Sequence, residues 1–189
     1  GATDLGASTV SGTLGITSAG AVTDSGTLAI TGATTISASG QDITLDEAAS
    51  TFGTLALTGA NVAVTDAGAT DLGASTVSGT LGITSVGAVT DSGTLAITGA
   101  TTISASGQDI TLDEAASTFG TLALTGANVT VTDAGATDLG ASTVSGTLGI
   151  TSAGAVTDSG TLAITGATTI SASGQDITLD EAASTFGTL

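Results

Sequence analysis

The chain has 189 residues, with no Lys, Arg, His, Cys, Met, Pro, Trp or Tyr, and its 17 acidic residues give a net charge of −17. Such a surface repels nucleic acid and anionic lipid headgroups, and disulfide, thiolate and imidazole chemistry are all closed to it. No apolar run reaches the length that a membrane-spanning helix needs.

The predicted elements follow a strict repeat. The phrase GATDLGASTVSG begins at Gly1, Gly68 and Gly135, a period of 67 residues. The units are 1–67, 68–134 and 135–189, the last stopping after 55 residues. Ala19 becomes Val86 in the second copy and Ala153 in the third, and Ala63 becomes Thr130; the copies otherwise agree. Within the first unit, apolar pulses fall at Val10, Leu14/Ile16, Val22, Leu28/Ile30, Ile36, Ile43/Leu45, Leu55/Leu57 and Val62/Val64, and the next falls at Leu72. Several alternate apolar with Thr or Ala, the period-two signature of a strand with one buried face. Thr, Val and Ile favour extended backbone. The linking words SAG, TDSG, TGA, SASGQ and TDAG are turn formers. No segment carries a helical stripe, and regularly spaced β-branched residues oppose the disorder that a Gly-rich composition otherwise suggests.

Strands of four or five residues joined by short turns predict an all-β fold, a β-solenoid of about three coils per repeat. Coils stacked at the inter-strand spacing of about 4.8 Å would make each repeat rise about 14 Å. The three units then form one continuous rod, each stacked end to end on its neighbour. Ser11–Thr31 reads as a single coil, with Leu14/Ile16, Val22 and Leu28/Ile30 on three inner walls. The gap from Ile43 to Leu55 predicts a protruding loop carrying Asp46, Glu47 and Phe52. Phe52, with Phe119 and Phe186 the only aromatic residues, either plugs that corner over the core or stands exposed as an adhesive group. The absence of an initiator Met and the stop at Leu189, inside a repeated phrase, suggest a segment of something longer.

Two phrases, FGTLALTGANVAVTDAGATDLGASTVSG (Phe52–Gly79) and GAVTDSGTLAITGATTISASGQDITLDEAASTFG (Gly20–Gly53), resemble repeats of filamentous-haemagglutinin-type adhesins, large two-partner-secreted proteins of Gram-negative bacteria. The resemblance covers essentially the whole chain. It implies a right-handed parallel β-helix serving as a long extracellular or cell-surface shaft. Such repeats often carry Asn before the Phe-Gly pair, where this chain has Ser50 and Thr51.

Chemistry is sparsely provided for. Carboxylate pairs can hydrolyse glycosides, and Asp46/Glu47 or Asp66/Asp71 are the available pairs. Adjacent strand residues point to opposite faces, however, which disfavours the first pair. No enzyme is expected, because identical copies do not build one cleft and no base is present. The remaining site candidates are acids that could bind calcium weakly, Asp46, Glu47, Asp113, Glu114, Asp180 and Glu181, since hard cations want several oxygen ligands. They match no calcium-loop spacing, and no cofactor is expected beyond such weak binding. The expected partners are neighbouring repeats, or other copies in a fibre, with no membrane insertion. The leading expectation is a structural shaft that extends an adhesive tip; an end-to-end assembled filament or sheath is the alternative, and a calcium-dependent binding module a lesser one.

Overall fold

The computed structural model describes residues 1–189. It contains strands, turns and no helix, all neighbouring strands pairing in parallel as a β-solenoid of about nine turns of about 20 residues each. The first repeat supplies β1 (Thr3–Leu5), β2 (Ser8–Val10), β3 (Leu14–Thr17), β4 (Val22–Asp24), β5 (Leu28–Ile30), β6 (Thr34–Ser37), β7 (Ile43–Leu45), β8 (Thr54–Gly59) and β9 (Val62–Asp66). The second begins with β10 (Thr70–Leu72), β11 (Ser75–Val77) and β12 (Leu81–Ser85).

Stacking puts like side chains over like. Ile16, Ile36 and Leu57 form one inner column, and Val22, Ile43 and Val62 another. The outward residues between them are Thr, Ala and Gly. One apolar core of 36 buried residues runs the length of the rod. Each buried Leu, Ile or Val contributes roughly 1.5–3 kcal/mol before entropy is subtracted. Stacking is what completes that burial. Leu5, Val10, Leu14 and Ile16 in the first coil are only partly buried, whereas their equivalents Leu72, Val77, Leu81 and Ile83, covered on both sides, are at most 2% exposed.

The coil predicted over Ser11–Thr31 is present, with β3, β4 and β5 as its three sides and Val10 stacked directly under Ile30. The coil count per repeat is finer than the expected three. Following the register upward from Thr3 gives Val22, Ile43, Val62, Leu81, Thr101, Leu122 and Leu139. That climb of seven coils ends in the third repeat, on the strand Thr137–Leu139 that matches β1. Two repeats therefore take seven coils, and one takes three and a half. The half coil arises at β8 and β9. β9 stacks on β7, the side formed by β2 and β5 shrinks to the corner Asp66–Gly68, and the six-residue β8 carries both β10 and β11. β10 therefore lies on the wall opposite the one that holds β1. At about 4.8 Å per coil, a repeat rises about 17 Å, and the wall-for-wall pattern recurs after about 34 Å.

Two glycine positions are fixed by backbone geometry. Gly40, Gly107 and Gly174 adopt φ of 71°, 75° and 76° in the SASGQ turn, a conformation that costs other residues steric strain. At another corner Gly79, Gly99 and Gly120 stack one over the next, with no room for a Cβ at the second or third level.

The Ile43–Leu55 stretch does not protrude as a loop. Ser50 donates its amide to the Glu47 carbonyl at 2.9 Å, closing a tight turn, and Thr51 returns at once to bridge Ala29. Ser50 is fully buried and Phe52 is 7% exposed, so the excursion is limited to Asp46–Ala49. The turn is short because Ser50 Oγ accepts the Leu28 amide at 2.9 Å, tying it to the coil below. Phe52 and Phe119 pack into the core as corner plugs.

Candidate functional site

No cavity opens in the rod, so any site lies on its walls or corners. The polar side chains that the fold organises most tightly sit at corners, where strands end and backbone amides lack ladder partners. Three corner devices recur.

In the first, an inward-pointing carboxylate closes the acidic turn. Asp24 follows Val22 by two residues, so strand alternation turns it inward. Its Oδ1 accepts the Asp46 amide at 2.9 Å, while Oδ2 is buried without a partner. Asp91 repeats this with the Asp113 amide at 2.8 Å and the Glu114 amide at 3.4 Å, and Asp158 with the Asp180 amide at 2.8 Å. Burial pushes the Asp24 and Asp91 carboxyls above the ordinary carboxylate range; the backbone amides oppose that shift and neighbouring acids add to it.

In the second, Asp66 occupies the corner between β9 and β10 with no exposed surface. Its Oδ1 accepts the Gly68 amide at 2.8 Å, and its Oδ2 lies 3.1 Å from Thr70 Oγ1. Asp133 repeats the arrangement with Gly135 and Thr137 at the same distances. Burial raises both carboxyls, against the pull of the Gly amide, the Thr hydroxyl and the amide of Phe52 or Phe119.

In the third, exposed Asn61 bridges coils. Its Nδ2 donates to Asp42 Oδ1 at 2.9 Å, and its Oδ1 accepts the Thr80 amide at 3.0 Å. Asn128 does the same between Asp109 and Thr147.

The acids singled out as cation ligands are spread out. Asp46, Asp113, Asp180 and Glu181 are exposed, and Glu47 and Glu114 are half-buried. No three acidic side chains come close enough together to hold a metal ion. Because a repeat takes three and a half coils, the Asp46–Glu47 and Asp113–Glu114 turns emerge on opposite walls, separated axially by about 17 Å. Asp66 and Asp71 do not form a facing pair. Asp66 is sealed in its corner, whereas Asp71 points outward and accepts from Thr54 Oγ1 and Ser92 Oγ, both at 2.8 Å. Sequence reasoning does not place Asp24, Asp91, Asp158, Asp66 or Asp133 inside the rod, and takes Asp66 only as half of a carboxylate pair. The signal was present: in Val22-Thr23-Asp24 and Val62-Ala63-Val64-Thr65-Asp66, the alternation that turns the Val side chains inward turns the Asp inward too.

The sequence pattern of a protein family described as repeats of unknown function (DUF5649) matches residues 1–58, 59–125 and 126–189, which together cover the whole chain. No curated protein and no solved structure matches it.

Proposed function

From the premise that this chain belongs to the DUF5649 family of repeats, we propose that it is a stretch of structural shaft in a very large secreted or cell-surface protein of a Gram-negative bacterium, extending an adhesive tip away from the cell. The observation that carries this reading is the single core of 36 residues running unbroken through near-identical repeats. Each copy adds reach and stiffness through nearest-neighbour stacking. The unbroken walls suit mechanical work, in which each coil bears on the next. The uncompensated acids suit an exposed fibre by discouraging lateral sticking, and the absence of Lys and Arg leaves trypsin no site in the chain.

The test is made in the producing cell. Antibody against residues 1–189 should label intact cells, and deleting two 67-residue copies, which keeps the bearing of whatever lies beyond them, should shorten the projecting fibre by about 34 Å while leaving target binding per molecule unchanged. Label found only after lysis, or binding abolished by loss of two copies, would overturn the shaft. The near-identity of the copies also suits an end-to-end polymer. Electron microscopy of the purified protein separates the two: continuous fibres favour the polymer, and rods of one fixed length favour the shaft.

A further inference from the structure

The Asp66 corner is one hydrogen short of its hydrogen bonds. Four oxygens form a chain there. Asp66 Oδ2 lies 3.1 Å from Thr70 Oγ1, Thr70 Oγ1 lies 3.0 Å from Ser85 Oγ, and Ser85 Oγ lies 3.0 Å from the Gly68 carbonyl oxygen. These are three links, and each needs one hydrogen. The two hydroxyls supply only two. With Asp66 ionised, one pair of oxygens 3.0–3.1 Å apart is left with lone pairs facing each other inside the protein. With a proton on Oδ2 the chain closes. Asp66 donates to Thr70, Thr70 to Ser85, and Ser85 to the Gly68 carbonyl, while Oδ1 still accepts the Gly68 amide.

The second joint repeats the geometry. Asp133 Oδ2, Thr137 Oγ1, Ser152 Oγ and the Gly135 carbonyl are linked at 3.1, 3.0 and 3.0 Å. The first coil supplies an internal comparison. There Thr3 Oγ1, Ser18 Oγ and the Gly1 carbonyl make two links, both at 3.1 Å, with no Asp in the chain. Two hydroxyl hydrogens suffice for that corner.

The geometry points to Asp66 and Asp133 as proton-binding sites: each holds a proton in the folded rod, so that the joints between repeats tighten as the surroundings become acidic. Nothing nearby offers a cation instead, because the chain has no Lys, Arg or His. The elements packed around Asp66 bring only acids. β7 below leads into Asp46 and Glu47, β10 beside it carries Asp71 turned outward, and β12 above carries none. Asp133 is framed in the same way by Asp113, Glu114 and Asp138. Both carboxyls are essentially without exposed surface, where an unpaired charge is costly. The joint is also where the half coil is made, so protonation acts at the point on which the stacking of repeats depends.

The burial-raised carboxyls give the sign. A group whose folded value lies above its unfolded one contributes its stability in full below the ordinary carboxylate range and loses it as pH rises through the folded value. The test is a carbon-13 NMR titration of the Asp carboxyls in the intact chain. Asp66 and Asp133 should remain protonated above the ordinary carboxylate range, at a pH where the Asp carboxyls of the urea-unfolded chain have ionised. The D66N/D133N variant, whose amide nitrogens can donate where the protons would, should unfold with a pH dependence shallower by two protons. Gly82→Ala, which removes no titrating group and has room for its Cβ, should keep the parent's slope. Titration of Asp66 and Asp133 within the ordinary carboxylate range would overturn the assignment. That reading needs no variant to fold.

Discussion

Gly99 lies directly over Gly79. Its amide donates to the Gly79 carbonyl oxygen at 2.9 Å, and that same oxygen fills the space where a side chain on Gly99 would begin. The contact sets how closely two coils approach at that corner. Gly99→Ala should therefore push the coils apart or shift backbone, at a cost of about 1–3 kcal/mol. Gly82 is the control. It sits in β12, and a Cβ there would meet nothing nearer than the Val62 carbonyl oxygen at 3.8 Å. Gly82→Ala should be neutral or stabilise by about 0.4–1 kcal/mol through the unfolded chain. Urea unfolding of the two variants beside the parent checks both signs.

A second prediction concerns a polar atom in the wrong place. Thr101 is fully buried between Leu81 and Leu122, and its Oγ1 has no partner; Thr34 is the same between Leu14 and Leu55. An unsatisfied buried hydroxyl costs about 1–3 kcal/mol. Thr101→Val keeps the shape, removes that cost and should stabilise the rod by about 1 kcal/mol or more. A lower urea midpoint would mean that the hydroxyl has a partner in solution.

The acidic turn yields a pH prediction. Asp91 Oδ1 holds the Asp113 amide while burial raises the carboxyl. An Asn side chain keeps an oxygen for that amide and carries no charge. Asp91→Asn should therefore be more stable than the parent at neutral pH. The parent gains as its raised carboxyl is protonated, so the gap should close as pH falls toward the ordinary carboxylate range. Thermal midpoints across that interval measure it. A gap that widens on acidification would reverse the sign.

Calcium provides the fourth. Asp46, Glu47 and their equivalents do not converge on one point. The thermal midpoint should be the same in calcium as in chelator once ionic strength is matched. A rise that saturates with calcium would show that the turns rearrange into sites.

How far the sequence discloses this structure depends on the level asked about. The alternation in Leu14-Gly15-Ile16 and Val62-Ala63-Val64 specifies strands with one buried face, and the turn words between them specify where the coil bends. The burial of Phe52 is less legible. It depends on Ser50 tying its turn to the Leu28 amide, a partner 22 residues away. The half coil is illegible, because it is a matter of register. The ladder steps 22 residues from Ala29 to Thr51 but only 17 from Leu55 to Leu72, and no local pattern announces either number. Asp24 and Asp66 are an intermediate case: alternation points them inward, but the rule that charges stay outside competes with that reading.

The three-and-a-half-coil repeat bears on heredity as well as on shape. Copies this alike invite unequal exchange between genes, which adds or deletes whole units. Each such event changes the rod by about 17 Å and also turns everything beyond it to the opposite side. An even change restores the original bearing of a distal segment, and an odd change leaves it facing backwards. Selection acting on which way that segment points would therefore filter repeat number by parity, and length alone would not predict which variants survive.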